Sequence, residues 1–208
     1  MKDTSSTRDD QPVSGSCPAL EKPMSTYVRL LNEQVSIADN LEGVANGLPH
    51  EIDPKACQLL SGRVSELMDV WSNISCRIII PALVARPSPP YLSRTTAARL
   101  IDERMTDQDY ATEISELLSG LAKAPQRRRH ELTGAEREAT NTAGYMLRGF
   151  FETTRRSAAF ELEYIIPAAS GSLREPELAE IGRLLSDHGS ILPRACLTTR
   201  QAVGFRTH

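Results

Sequence analysis

The sequence predicts an all-α protein, an up-down-up-down four-helix bundle with a short fifth helix and irregular tails. Apolar residues recur every three to four positions through four long segments. No alternating pattern typical of strands competes with this period. Connections of about 6 to 13 residues, rich in Pro or Gly, separate the segments and favour antiparallel neighbours.

The predicted bundle spans residues 23–189 and lies between two segments without a long apolar period. Residues 1–22 are polar and rich in Ser, Asp and Pro, a composition typical of a disordered tail. Residues 190–208 contain Pro193 and Gly204, which interrupt any long period, so we expect an irregular C-terminal tail. The length of 208 residues fits one domain with tails.

The first two predicted helices form a hairpin. The first spans about 24–46 and ends before Gly47. The second begins with Asp53 as N-cap and Pro54 at the first helical position, and it runs to about Ile80. Its apolar positions, spaced alternately by four and three residues, are Leu60, Val64, Leu67, Trp71, Ile74 and Ile78.

A proline-rich connection leads to the second hairpin. The third helix spans about 94–122, with Leu100, Arg104, Asp107, Ala111, Ile114, Leu118 and Leu121 on one stripe. The fourth begins at a capping box, Thr133 with Glu136, and runs to about Ile166. Its inward positions are Met146, Phe150, Thr154, Ser157, Glu161 and Tyr164. The short fifth helix begins at a second capping box, Ser172 with Glu175, and stops at Gly189.

Charge and composition exclude several classes of protein. The net charge of −3 gives no footprint for nucleic acid, and the basic run 127–130 has the composition of a solvated loop. The longest uninterrupted apolar runs are too short to cross a bilayer, and the N-terminus lacks the apolar core of a secretory signal. We therefore expect a cytoplasmic protein without nucleic-acid or membrane partners. The four cysteines are far apart and read as free thiols rather than a zinc or redox pair.

One end of the predicted bundle is polar. In this topology the starts of the first and third helices meet the ends of the second and fourth. The inward residues there are Tyr27, Gln34, Trp71, Ser75, Arg104, Asp107, Ser157 and Glu161, whereas the other end carries Leu41, Leu60, Val64, Leu118, Leu121 and Met146. A buried carboxylate without partners is costly, so these polar residues form either a hydrogen-bond network or a site.

A family resemblance follows from the second and fourth helices. The chain resembles hemerythrin-like (HHE) domains over about 24–188, and most specifically over 147–183. The matching runs are Leu147 to Phe151, Arg155 to Glu163, Pro167, Leu178 to Arg183, Leu67 to Trp71 and Ile78 to Leu83. The resemblance implies the bundle fold and an inward site near the two prolines that end these helices.

The resemblance also implies His-x-x-x-Glu ligands for a di-iron centre, and this chain departs from them. On the fourth helix Ser157 stands at the His position, while Glu161 keeps the Glu position. On the second helix Trp71 and Ser75 replace the His and the Glu. The family's remaining two His positions fall around Tyr27 and around 107–111, which contain no histidine.

The departures argue against iron. A di-iron site needs about five to seven His and carboxylate ligands. The four histidines, His50, His130, His188 and His208, all read as loop or terminal residues. We therefore expect a degenerate site with no metal and no cofactor. A single metal ion held by Glu161 and Asp107 remains an alternative.

Two functional interpretations stay open. The first, which the polar residues of the fourth helix favour, is a metal-independent pocket for a small organic molecule. It would serve a cofactor-free enzyme for proton transfer, cyclisation, isomerisation or dehydration. Glu161 and Asp107 would be catalytic, and the substrate would contact Tyr27, Trp71, Ser75, Arg104 and Ser157. The second is a non-enzymatic sensor or interaction module in which Trp71 fills the former iron cavity. An iron or oxygen carrier with altered ligands is the weakest reading.

Overall fold

The computed structural model describes residues 18–86, 92–124 and 133–188. These residues form helices joined by short connections and contain no strand, so the all-α prediction is confirmed. The basic run 127–130, the predicted C-terminal tail and most of the predicted N-terminal tail lie outside the described residues.

Two of the helices continue through a π-helical turn, so residues 18–86, 92–124 and 133–188 form five continuous helices. The elements are α1 Pro18–Gly47, α2 Pro54–Ile74, α3 Ile80–Val84, α4 Arg94–Lys123, α5 Gly134–Phe160, α6 Ile166–Ser170 and α7 Glu175–Asp187. The first π turn, Ser75–Ile79, joins α2 to α3, and the second, Glu161–Ile165, joins α5 to α6.

Side chains cap two helices as the sequence predicts. The carboxylate of Asp53 accepts from the backbone N–H of Lys55 at 2.9 Å and of Ala56 at 3.2 Å. At the start of α5, the Thr133 hydroxyl accepts from the N–H of Glu136, whose carboxylate accepts from the N–H of Thr133. Each cap satisfies N–H groups that the first helical turn leaves without partners.

Two predicted helix starts are wrong. Helix α1 already includes residues 18–22, which the sequence assigns to the disordered tail. Helix α7 begins at Glu175, because Pro176 must lie in the first turn. The expected pairing of Ser172 with Glu175 is replaced by the carboxylate of Glu177, which accepts from the N–H of Arg174. The helix ends at Asp187, two residues before the predicted stop.

Neighbouring long helices are antiparallel. Helix α1 packs against α2 and α5, and α4 packs against the same two helices. Between α2 and α4, Gln108 donates to Asp69 at 2.7 Å and Ser65 donates to the carbonyl of Ala111 at 3.3 Å. Residue numbers therefore fall along α2 as they rise along α4, which makes the two helices antiparallel.

The pair α1 and α5 shows the same relation. Tyr27 of α1 reaches Glu161 at the end of α5, whereas the carbonyl of Ala45 accepts from Arg148 a few turns from the start of α5. Between α4 and α5, Arg104 reaches Ser157. The starts of α1 and α4 therefore lie near the ends of α2 and α5.

The π turns arise next to prolines. The N–H groups of Ile80 and Ile166 bond to the carbonyls of Ser75 and Glu161, five residues earlier. Pro81 and Pro167 follow directly, and each removes one N–H from the helical ladder. The wider turn accommodates one extra residue at each place.

This extra residue changes which side chain faces the core. Ile165 is 4% exposed, whereas Tyr164, predicted to face inward, is 57% exposed. In the first π turn Ile79 is buried and the predicted Ile78 is only partly buried. The inward assignments of Ile78 and Tyr164, within the π turns, are therefore corrected by one residue. Met146 is likewise only partly buried and Leu147 beside it is fully buried, whereas Phe150, Thr154 and Glu161 lie on the inner face as predicted.

Among the described residues, the stretch Pro54–Val84 alone is long and apolar enough to meet the length and composition criterion for a membrane span. In the structure 67% of its most apolar window is buried inside the protein, as in the core helix of a globular protein. The uninterrupted run at its end, Ile78 to Ile80, would not meet that criterion.

Candidate functional site

Seven side chains meet where the starts of α1 and α4 face the ends of α2 and α5. We call Tyr27, Trp71, Ser75, Arg104, Asp107, Ser157 and Glu161 the inner cluster. All seven are the residues that the sequence proposes for a site, and direct contacts link them. Ser75 and Glu161 occupy equivalent places, because each is the first residue of a π turn.

The carboxylate of Glu161 lies at the centre of the inner cluster and is 1% exposed. The hydroxyl of Ser75 donates to Oε1 at 2.6 Å, and the hydroxyl of Tyr27 donates to Oε2 at 3.3 Å. The Nε of Arg104 lies 3.6 Å from Oε1, which is an ion-pair distance but beyond hydrogen-bond range. Three different helical segments therefore hold one buried carboxylate.

Arg104 connects Glu161 to the outer part of the inner cluster. Its Nη1 donates to the hydroxyl of Ser157 at 2.9 Å and lies 3.5 Å from Oδ2 of Asp107. Its Cζ lies 4.2 Å from the ring centroid of Trp71, so the guanidinium and the indole form a cation–π pair. Arg104 itself is 3% exposed.

Burial governs the protonation of the carboxyl groups. Burial raises the pKa of Glu161 above its ordinary value, against the opposing effects of Arg104, Ser75 and Tyr27. Burial likewise raises the pKa of Asp107, and the guanidinium of Arg104 opposes that rise. The pKa of the Tyr27 phenol lies well above its usual value, because the ring is buried and the Glu161 carboxylate is close.

The charges in the inner cluster do not balance when both carboxyl groups are ionised. Glu161 and Asp107 share one guanidinium, and no other Lys or Arg of the described chain forms an ion pair with either carboxylate. A net negative charge in a medium of low dielectric favours uptake of one proton or one cation.

Two N–H donors of the inner cluster have no ordinary hydrogen-bond partner within the described residues. They are Nε of Arg104 and Nε1 of Trp71. The indole N–H faces Glu161 closely enough to favour its ionised form, but it lies outside hydrogen-bond geometry. An unsatisfied buried donor costs about 1–3 kcal/mol, so the cluster is not a fully satisfied network.

Gln34, which the sequence places deeper than Tyr27, lies beside Met68. Its Nε2 is 3.7 Å from the sulfur of Met68, and its Oε1 has no hydrogen-bond partner in the described part of the chain. Since Met68 precedes Trp71 by almost one helical turn, Gln34 extends the polar region inward.

The inner cluster approaches solvent on one side. Asp107 is 14% exposed and Ser157 is half-buried, and these two residues come from α4 and α5. The other five members are almost fully buried. The inner cluster therefore comes nearest to solvent on the side between α4 and α5.

A separate open groove of about 550 Å³ lies far from the inner cluster. It is lined by Pro54, Lys55, Gln58, Leu59 and Ala122, at the start of α2 and the end of α4. None of its residues belongs to the polar end, and it contains no acid–base pair.

The residues at the polar end do not fit a di-iron centre. No group of three or more His, Cys, Asp and Glu side chains that could hold a metal ion occurs in residues 18–86, 92–124 and 133–188. Trp71, Ser75 and Ser157 stand at three of the ligand positions that the resemblance implies. The two carboxylates, Glu161 and Asp107, both face the guanidinium of Arg104, whose positive charge opposes a metal ion.

Sequence reasoning missed two features of the site. It placed Arg104 and Trp71 at the same end but did not reveal their stacking, because periodicity gives a helix face and not a side-chain direction. It also missed the paired π turns, although the repeated Ile-Ile-Pro endings at Pro81 and Pro167 are their visible signal. Comparison of the chain with protein-family models, curated proteins and solved structures finds no match.

Proposed function

We propose that the chain is a hemerythrin-like four-helix bundle, running up-down-up-down, that works without iron or another cofactor. Its inner cluster is a site for a small organic molecule, in a cofactor-free enzyme where Glu161 transfers a proton. The antiparallel pairing of α1, α2, α4 and α5 supports the bundle. The two equivalent Pro-linked π turns, at the helix ends that carry ligands in the resembled family, support the location of the site.

The observation that carries the proposal is the environment of Glu161. A carboxylate that merely fills a core would be replaced without loss by an apolar side chain, or would have every neighbouring donor directed at it. Here Ser75 and Tyr27 hold it in one orientation, yet the nearby N–H donors of Trp71 and Arg104 stay unbonded. Within the described residues, the set of polar contacts around Glu161 is therefore incomplete in the absence of a ligand.

The chemistry follows from the raised pKa of Glu161. Desolvation brings the pKa of a buried carboxyl closer to neutral pH, where it can both give and take a proton. The hydroxyls of Ser75 and Tyr27 fix its two oxygens, so one conformation is presented to a ligand. Asp107, nearer to solvent, is the candidate for returning the proton. Proton transfer, isomerisation, cyclisation and dehydration all need such a group.

The partners and location that we propose follow from composition. The net charge of −3 argues against a nucleic-acid partner, and the burial of Pro54–Val84 within the protein argues against a membrane partner. We propose a cytoplasmic protein whose partner is the small molecule itself.

One observation favours a second candidate, a non-enzymatic sensor or interaction module. The members of the inner cluster bond mainly to one another, and five of them are almost fully buried. Side chains that bond mainly to one another can stabilise a bundle without turnover. A sensor would bind its ligand with Glu161→Gln nearly as tightly as with Glu161, since binding needs no proton transfer.

The test begins with the native protein. Organic extracts of the purified chain, analysed by mass spectrometry, identify a bound small molecule, which then serves as the probe. The proposal expects that Glu161→Gln abolishes its conversion while the circular dichroism spectrum stays unchanged. The matched control is Glu163→Gln, which alters an exposed residue of the same π turn and should leave conversion intact. Full activity of Glu161→Gln would show that Glu161 is not the acid or base.

A further inference from the structure

The stacked guanidinium of Arg104 indicates what kind of ligand the inner cluster recognises. We propose that the inner cluster binds a small planar cation, such as an amidinium, a guanidinium or a protonated aromatic amine, and that Arg104 occupies this site as a built-in substitute. This inference rests on the proposed function, because it names the ligand class of the same site.

The guanidinium of Arg104 already has the shape and charge of a small planar cation. A flat, positively charged group of four heavy atoms lies 4.2 Å from the ring centroid of Trp71. Its edge faces the carboxylate of Glu161, which Ser75 and Tyr27 hold in place from the other side. An aromatic face with a carboxylate beside its edge is the usual arrangement for binding a planar cation.

The charge of the inner cluster also bears on the sign of its ligand. Two carboxyl groups and one guanidinium leave the inner cluster one negative charge in excess when both acids are ionised. An anionic ligand would add to this excess, whereas a cation would cancel it. When both acids are ionised, the inner cluster therefore favours a positive ligand over a negative one.

Arg104 fits the carboxylates of the inner cluster imperfectly. Its Nε is 3.6 Å from Glu161 and its Nη1 is 3.5 Å from Asp107, so neither carboxylate receives an ordinary hydrogen bond from it. The guanidinium is anchored by one good bond, to Ser157 at 2.9 Å. Its Nε has no hydrogen-bond partner in the described residues. A free cation, not tied to a helix, can approach the carboxylate of Glu161 more closely.

The Arg104 side chain has an alternative position beside Asp107. Asp107 is one helical turn away on α4 and faces the side that approaches solvent, with Ser157 beside it on α5. Rotation of the Arg104 side chain towards Asp107 would keep one ion pair and vacate the face of Trp71. The ligand would then enter between α4 and α5.

The experiment uses the full chain with Arg104→Ala, which empties the planar site. The probe is methylguanidinium at millimolar concentration, well below denaturing levels, and the readout is the fluorescence of Trp71, the only tryptophan of the chain. We expect a saturable change in fluorescence and a higher melting temperature for the variant. The wild type, with Arg104 in place, should respond at least about tenfold more weakly.

Two controls decide between recognition and a general solvent effect. Methylurea has nearly the same flat shape without the charge, and it should bind Arg104→Ala about tenfold more weakly than methylguanidinium. The double variant Arg104→Ala with Glu161→Gln should lose the preference for the cation. Equal binding of the two probes, or no saturable response of Arg104→Ala, would overturn the inference.

A second variant guards against failure of the first to fold. Arg104→Lys keeps a positive charge near Asp107 but removes the planar group from Trp71, and the same titration and the same outcomes apply to it. The result is independent of the test of function, because conversion of a co-purified molecule is measured on the wild type. A neutral co-purified ligand would overturn the cation inference while leaving the proposed function standing.

Discussion

The pH dependence of stability tests the environment of Glu161 in detail. Burial raises the pKa of this carboxyl above its ordinary value of 4.5, so the folded state keeps the proton to a higher pH than the unfolded state does. The stability that this group contributes is therefore fully present below pH 4.5. It is lost as the pH rises through the raised pKa of the folded state. Glu161→Gln removes the titration and keeps the shape of the protonated side chain.

The magnitude follows from the number of protons. One proton bound by the folded state and not by the unfolded state changes the free energy of unfolding by at most about 1.4 kcal/mol per pH unit. The wild type should lose stability relative to Glu161→Gln at up to that slope above pH 4.5, and the difference should level off once the folded carboxyl is ionised. The guanidinium of Arg104 and the hydroxyl of Ser75 oppose the rise in the pKa of Glu161. They therefore narrow the pH range over which stability is lost, but stability still falls as the pH rises.

The assay is urea unfolding of both proteins at half-unit steps from pH 4 to pH 8, followed by Trp71 fluorescence and far-ultraviolet circular dichroism. Glu180→Gln is the control, because Arg183 lowers the pKa of Glu180 on the exposed face of α7. Relative to Glu180→Gln, the wild type should gain a little stability as the pH rises, which is opposite to the trend expected for Glu161→Gln. The opposite result would be a wild type that becomes more stable relative to the Glu161→Gln variant as the pH rises. The ion pair with Arg104 would then outweigh burial, and the reasoning would be refuted.

Three further substitutions test the π turn and the anchoring of the carboxylate. Ile165→Ala should cost about 2–5 kcal/mol of unfolding free energy because Ile165 is buried, whereas Tyr164→Ala should cost about 1 kcal/mol or less because that ring is exposed. Thermal or urea unfolding measures both, and equal costs would mean that the helix continues without the extra residue. Ser75→Ala removes the 2.6 Å bond to Glu161 and should cost about 1–3 kcal/mol at pH 8. The cost should shrink at pH 4, and an unchanged cost at both pH values would contradict the anchoring role.

Local chemistry explains which helix boundaries the sequence could predict. Asp53 before Pro54, and Thr133 three residues before Glu136, are short-range signals, and both form the predicted caps. The start of α7 is different, because Ser172 offers an equally good pattern that the chain does not use. The position of Pro176, which only the first turn accommodates, decides between them.

Periodicity placed the residues of the inner cluster at one end of the molecule, where the structure brings them into contact, but it misassigned inward residues elsewhere. Through Glu161 the fourth predicted helix keeps a regular period, so Ser157 and Glu161 lie on the expected face. After Glu161 the π turn inserts a residue, and a fixed period then selects Tyr164 instead of Ile165. Side-chain directions, such as the stack of Arg104 on Trp71, depend on contacts between helices and leave no periodic trace.

The metal content of the purified protein tests the central claim most directly. The protein would be incubated anaerobically with excess Fe(II), freed of unbound metal, and measured by elemental analysis against protein concentration. Because Trp71, Ser75 and Ser157 stand where the proposed resemblance implies iron ligands, and because Arg104 faces Glu161, we predict far less than one iron per chain. Two tightly bound iron ions per chain would contradict the account.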